Sequence, residues 1–276
     1  AFVLMMIGYA GLGLAFTFDM FLVAILFMGI GAGAFKPIIS ATIAHITTEG
    51  QRNTAYSIYY WMINLGAMSF NLIIGIYFAL FNVDYTIAFA IFFVSSAFIS
   101  VNLCIALFLY RNPKEPDRDL SVVQAVGRIV PALQDWKFVI LLIIYSTFWI
   151  MFSINHTFLG VYMEDFNKMP AGFSVFLLAT INPGTIVVAG PILAKLVANI
   201  ESMTAIIAGY LIFVAGLMLM AFSIDPFSFV AGIILFTVGE FIVHPNFISY
   251  ISKIAPRDKM AIYLASIFIA VGIGNI

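Results

Sequence analysis

The 276-residue sequence predicts an all-α membrane protein, on the grounds of its composition and the length of its apolar runs. Hydrophobic residues make up 63% of the chain and charged residues 9%, which leaves too little polar surface to cover a water-soluble globule of this length. The apolar runs lack turn signals every ten residues or so, a pattern typical of helices that excludes a membrane β-barrel. The formal net charge of -1 gives no indication of nucleic-acid binding.

Nine apolar segments, separated by polar breaks, define the predicted helices. Each complete segment is long enough to cross about 30 Å of hydrocarbon at about 1.5 Å per residue. Because the sequence starts and stops within apolar segments, we expect further helices outside it. The segments are approximately residues 1–17, 20–45, 55–81, 85–110, 137–162, 171–198, 203–223, 226–254 and 260–276.

The basic residues between these segments predict the orientation of the chain. One side of the membrane holds only Lys168, and the other side holds all the remaining loop cations. Such a bias places the basic side in the cytoplasm. The residues on the basic side are Arg52, Arg111, Lys114, Arg118, Arg128, Lys137, Lys195, Lys253, Arg257 and Lys259.

The longest break, residues 111–136, is interpreted as a cytoplasmic linker. Its apolar residues recur at helical spacing until Pro131, which predicts a short amphipathic helix. The linker separates two predicted bundles, residues 1–110 and residues 137–276, as in transporters built from two halves with the solute site between them. An ordinary long loop is the alternative.

Lys36 and Glu240 are the charges near the middle of two predicted spans, 20–45 and 226–254. An unpaired charge at this depth costs roughly 3 kcal/mol, so such residues usually form pairs or line an aqueous pathway. One cation and one anion at similar depths on separate helices predict a transport site.

Polar side chains share one helical face in the third and fifth segments. Such a face is costly against lipid, so we expect it to line a cavity or to contact another helix. Hydrogen bonding between helices is the alternative for any single residue. The residues are Tyr56, Tyr60, Asn64 and Asn71 in the third segment, and Ser146, Trp149, Ser153, His156 and Gly160 in the fifth.

Four prolines are predicted to lie within membrane spans: Pro37, Pro183, Pro191 and Pro245. Each lacks a backbone N–H and is therefore expected to kink its helix. The carbonyl groups that lose a donor in this way need a partner from a neighbouring helix or from water.

No catalytic or cofactor motif is present: the sequence has no HExxH, no GxSxG and no second intramembrane carboxylate beside Glu240. His45, His156 and His244 fall on three different segments, so they predict no metal site. His244 follows Glu240 by one helical turn, and the two side chains are placed to share a proton. A packed, neutral His244 is the alternative.

The segment YYWMINLGA, Tyr59–Ala67, resembles the FYxxINxGS signature of the proton-dependent oligopeptide transporter family, within the major facilitator superfamily. Four further segments are similar, in order, to the family's fourth, seventh, eighth and tenth helices: residues 29–40, 146–157, 181–191 and 239–256. The resemblance implies helices three to eleven of a twelve-helix major facilitator fold. It also implies a multi-pass protein of the cell membrane that carries di- and tripeptides together with protons and needs no cofactor.

The resemblance assigns roles to individual residues. Glu240 matches the glutamate that receives the amino terminus of the peptide, and Asn64 and Asn182 match asparagines that bind its backbone. Lys36 matches the lysine that pairs with this glutamate or faces the carboxylate of the peptide. A bridge between Lys36 and Glu240 that closes the inner side of the empty transporter is a hypothesis. The aromatic residues Tyr56, Tyr60 and Trp149 would wall the cargo.

Three positions depart from the family pattern: Ser153 replaces an acidic residue, His156 replaces a glycine and Ile38 replaces an asparagine. Without the acid at 153, proton coupling is expected to rest on Glu240 and Lys36, together with His156 or His244, or to be altered or absent. A second interpretation keeps the fold and changes the cargo to nitrate, another anion or an amino-acid-like compound.

Overall fold

The computed structural model describes residues 1–81, 88–109, 127, 129–166, 178–223, 225–256 and 259–275. Every element within these ranges is an α-helix, which confirms the predicted all-α class. In chain order the helices are α1 Phe2–Gly13, α2 Phe18–Ile46, α3 Arg52–Phe81, α4 Ala88–Leu109, α5 Ile129–Leu133, α6 Trp136–Phe166, α7 Ile181–Val197, α8 Ser202–Ala221, α9 Pro226–Ile254 and α10 Met260–Gly274.

Six helices of the described part of the chain are long and apolar enough to cross a membrane, namely α2, α3, α4, α6, α8 and α9. Their number and length support the assignment of the chain as an integral membrane protein. Helices α1, α7 and α10 are apolar but shorter. Helix α1 ends at Gly13, before the predicted boundary at residue 17. Thr17 lies instead at the start of α2, where its hydroxyl accepts the backbone N–H of Met20 at 3.3 Å.

Most of the predicted linker helix lies outside the described residues. The described end of this helix, α5, continues through Pro131 to Leu133, whereas the sequence predicted that the helical pattern stops at Pro131.

Pro183 lies in the first turn of α7, and Thr180 before it has a right-handed helical backbone conformation. Leu178 and Ala179 are helical as well, so the kink at Pro183 stays a prediction. Pro37, Pro191 and Pro245 do lie inside helices, in α2, α7 and α9 respectively.

The chain forms two compact units. The first comprises Ala1–Ile46 and Asn82–Val122, and the second comprises Thr47–Phe81 and Val123–Ile276. In the first unit, α1 packs on α2 and α4. In the second unit, α3 packs on α7 and α9, α8 packs on α9, and α6 packs on α10. The sequence-based division assigned α3 to the bundle of residues 1–110, whereas its contacts group it with the second unit.

Glycines allow the backbones of α8 and α9 to touch. A Cβ added to Gly216 would lie 2.5 Å from the Cα of Phe236, and one added to Gly239 would lie 2.6 Å from the carbonyl oxygen of Gly209. Neither position has room for a side chain unless the two helices separate. Because Gly239 precedes Glu240, this contact also fixes where Glu240 lies along the helix pair.

Acidic side chains define the starts of the same two helices. The carboxylate of Asp225 accepts the backbone N–H groups of Phe227 and Ser228 at 2.9 and 3.0 Å, and Glu201 accepts that of Thr204 at 2.8 Å. These are N-terminal caps. At Glu201 the backbone N–H groups of the first turn lower the pKa of the carboxyl, so the cap stays ionised.

Candidate functional site

Glu240 is enclosed within the second unit, and only 1% of its surface is exposed. Its Oε1 accepts a hydrogen bond from the hydroxyl of Tyr60 on α3. Its Oε2 accepts one from Nδ2 of Asn182 on α7, at 2.6 Å. Both donors are neutral, so they solvate the carboxylate without supplying the charge that a buried anion needs.

Thr237 orients the amide of Asn182, and the sequence analysis did not identify this residue. The threonine hydroxyl donates to the carbonyl oxygen of Ile233 at 2.6 Å, and its oxygen accepts Nδ2 of Asn182 at 2.9 Å. The amide therefore reaches both Thr237 and Glu240. The position of Thr237, three residues before Glu240 on the same helical face, was the signal in the sequence.

An aromatic cluster adjoins the carboxylate through His244. Nδ1 of His244 is hydrogen-bonded to the hydroxyl of Tyr145 on α6. The centroid of the imidazole ring lies 4.4 Å from that of Tyr60 and 5.5 Å from that of Trp149. Tyr60 thus contacts both ionisable residues, Glu240 through its hydroxyl and His244 through its ring.

Tyr145 is the second residue that the sequence analysis missed. It is fully buried, and its ring stacks on that of Phe247 at a centroid distance of 3.9 Å. It precedes Trp149 by four residues and so continues the polar face predicted for the fifth segment. That spacing was the available signal.

Two predicted residues on α3 lie near the site without a described bond to Glu240. Asn64 is buried and donates its amide to the carbonyl oxygen of Tyr60, one turn earlier, at 2.9 Å. Tyr56 is fully buried one turn before Tyr60, and its hydroxyl is hydrogen-bonded to Ser252. Both residues support the part of α3 that carries Tyr60.

The remaining predicted residues lie further along the helices or in the other unit. Nδ1 of His156 lies 3.1 Å from the carbonyl oxygen of Phe152, on its own helix. Ser153, at the position where an acid was expected, donates its hydroxyl to the side-chain oxygen of Asn275. Lys36 lies on α2 in the first unit, so its pairing with Glu240 stays a prediction.

A second polar cluster joins the start of α3 to the end of α9. Nη1 of Arg52 donates to the carbonyl oxygen of Ser252 at 2.7 Å. Oδ1 of Asn53 accepts the hydroxyl of Ser249 and Nζ of Lys253, the latter at 3.2 Å. In the sequence, Arg52 and Lys253 indicate only the orientation of the chain in the membrane.

Three comparisons with known proteins bear on this arrangement. The family model of the Major Facilitator Superfamily matches residues 1–276. The chain is 24% identical over 256 residues to YttB, an uncharacterized MFS-type transporter of Bacillus subtilis (strain 168). That alignment covers 91% of this chain and 62% of YttB, so the chain spans less than two thirds of the relative. A crystal structure of the peptide transporter POT in complex with sulfate is similar in fold, with a TM-score of 0.59 and 17% identity. It is matched over 99% of this chain and 77% of that one.

Proposed function

This chain belongs to the Major Facilitator Superfamily, and from that premise we propose that its protein is a secondary active transporter of the cell membrane. Its proposed cargo is a di- or tripeptide, carried together with protons by alternating access across the lipid bilayer. The observation that carries the proposal is the state of Glu240, a carboxylate enclosed between two neutral donors.

A carboxylate in this position gains free energy from any cation that reaches it. The α-ammonium group of a peptide binds the ionised carboxylate, whereas a proton neutralises it. The two cations therefore compete for one group, which links the occupancy of the site by peptide to its occupancy by a proton. A cargo that carries only negative charge has no favourable interaction with Glu240.

The proposal also assigns binding partners to the backbone, the side chains and the carboxylate of the peptide. The NH₂ group of Asn182 is bonded to Thr237 and Glu240, so its amide oxygen is the group that would accept a hydrogen bond from the peptide backbone. The rings of Tyr56, Tyr60 and Trp149 offer apolar walls. We assign Lys36 as the partner of the peptide's carboxylate. In the empty transporter Lys36 would pair with Glu240 instead, so binding of the peptide would break this pair and open the inner side. The fold likeness to a peptide transporter supports the choice of cargo.

Competition against uptake tests the cargo. The intact protein in proteoliposomes should take up a labelled dipeptide, and the unlabelled dipeptide should compete at least about thirtyfold better than the same dipeptide acetylated at its amino group. That factor corresponds to about 2 kcal/mol for loss of a buried charge pair. Equal competition by the two compounds, or competition by nitrate alone, would refute recognition of an amino group.

Proton coupling should depend on His244 more than on His156. The imidazole of His244 contacts Tyr60 on α3 and Tyr145 on α6, and His244 follows Glu240 by one turn on α9. We expect the substitution His244→Gln to move the midpoint of the pH dependence of uptake by about one pH unit. The matched substitution His156→Gln should leave the midpoint where it is, because its Nδ1 is held by the carbonyl of Phe152. A shift in the His156 variant alone would contradict this assignment.

A further inference from the structure

Pro191 lies inside α7, and its lack of an N–H deprives the carbonyl group of Val187, four residues earlier, of its intrahelical donor. The indole Nε1–H of Trp61 on α3 donates to this same carbonyl oxygen at 2.9 Å. The side chain of one helix thus supplies the hydrogen bond that the backbone of another helix is missing. An unpaired carbonyl group in apolar surroundings would otherwise carry a free-energy cost.

The absence of a side chain at Gly190 makes room for the contact of Trp61 with α7. A Cβ added to the buried Gly190 would lie 3.1 Å from Cδ1 of Trp61 and 3.1 Å from Cε2 of Phe241. The missing side chain at residue 190 lets the indole approach the backbone of α7. The indole also packs against a buried apolar cluster formed by Tyr60, Ile186 and Phe241.

Trp61 and Tyr60 are consecutive residues, and each bonds a different helix near the same site. Tyr60 donates to the carboxylate of Glu240 on α9, while Trp61 donates to the carbonyl of Val187 on α7. Val187 lies five residues after Asn182, the residue that presents its amide to Glu240. The position of α3 therefore helps to fix two positions: that of the Glu240 carboxylate, and that of α7, the helix that carries Asn182.

We propose that Trp61 is a positioning residue for the Glu240 site: its indole N–H replaces the donor that Pro191 lacks and thereby fixes the half of α7 that carries Asn182. The consequence for transport rests on the proposed function, whereas the hydrogen bond itself does not. A movement that separates α3 from both α7 and α9 breaks the bonds of Trp61 and Tyr60 together. A pocket of about 240 Å³ with an almost entirely apolar lining borders the indole.

A double-mutant cycle tests the proposal in the intact protein. Trp61→Phe keeps an aromatic ring and removes the N–H, so the carbonyl of Val187 loses its donor. We expect the Tm to fall by about 2–4 °C and the KM for the dipeptide to rise several-fold. Pro191→Ala supplies a backbone N–H to the same carbonyl, so in the double variant most of both losses should be recovered. Trp136→Phe, at an exposed tryptophan, is the matched control.

Each outcome of the cycle decides the proposal. If the two substitutions are additive, so that Pro191→Ala fails to rescue Trp61→Phe, the role of the N–H is refuted and only packing remains. If the Tm is rescued while the KM never changes, the bond stands and the positioning role is refuted. Failure of the proposed function is distinguishable, because the unfolding measurements need no transport and the wild type would then show no uptake of dipeptide.

Discussion

Replacement of Glu240 by glutamine should lower the gradient-driven accumulation of a dipeptide at least about thirtyfold, because the amide neither pairs with an ammonium group nor releases a proton. The variant should nevertheless fold. The amide oxygen of glutamine accepts Nδ2 of Asn182, and its NH₂ group donates to the hydroxyl of Tyr60, which is able to reverse from donor to acceptor. The loss of accumulation would then reflect a loss of transport activity and not a loss of folded protein.

Uptake into proteoliposomes, measured together with the Tm, checks this expectation. The matched control is Glu49→Gln, which makes the same change at an exposed carboxylate. The control should retain uptake and the Tm of the wild type. Wild-type accumulation by the Glu240 variant would remove this carboxylate from the mechanism, and a collapse in Tm would show that its role is structural.

The second large effect is expected on stability, from Gly239→Ala. The added Cβ would lie 2.6 Å from the carbonyl oxygen of Gly209 and 2.6 Å from the Cα of Phe213, and backbone atoms cannot move aside as a flexible side chain can. Helices α8 and α9 must therefore separate, at a cost of about 1–3 kcal/mol. The Tm should fall by several degrees, and Glu240 should shift relative to Asn182, so uptake should weaken as well.

The control for this prediction is Gly272→Ala on α10. Within the described part of the chain, a Cβ at this position meets nothing within 4 Å. Alanine is also the better helix former, by up to about 1 kcal/mol, so the control should be neutral or more stable. Thermal unfolding of both variants in the same detergent makes the comparison. Equal Tm values would contradict the close contact of α8 and α9.

Two residues of the candidate site were predictable from local patterns, and a third was predictable from a family resemblance. Glu240 is a charge within an apolar helix, Tyr60 lies on a polar helical face, and Asn182 was identified through a family resemblance. The structure brings these three side chains into direct contact. The helical class followed from composition and from the length of the apolar runs, because the thickness of the bilayer sets that length and the lack of water in it favours helices.

The pairings between helices were not predictable. Tyr60 and Glu240 are separated by 180 positions, and which atoms meet depends on the rotation of each helix, to which an apolar sequence gives few clues. Asn64 was expected to bind cargo, yet its amide reaches the carbonyl one turn earlier, a local partner that competes for every such side chain. The hydrogen bond from Trp61 to the carbonyl of Val187, which Pro191 leaves without a donor, was also not predictable from the sequence, because it depends on the relative rotation of α3 and α7.

The most direct test of the account is uptake of a labelled dipeptide by the intact wild-type protein in proteoliposomes, with and without an inward proton gradient. The account predicts that the gradient drives the dipeptide inside to a concentration above that outside. Exchange without any response to the gradient would retain peptide transport and discard proton coupling. No movement of peptide by a protein that still unfolds cooperatively would contradict the proposed function.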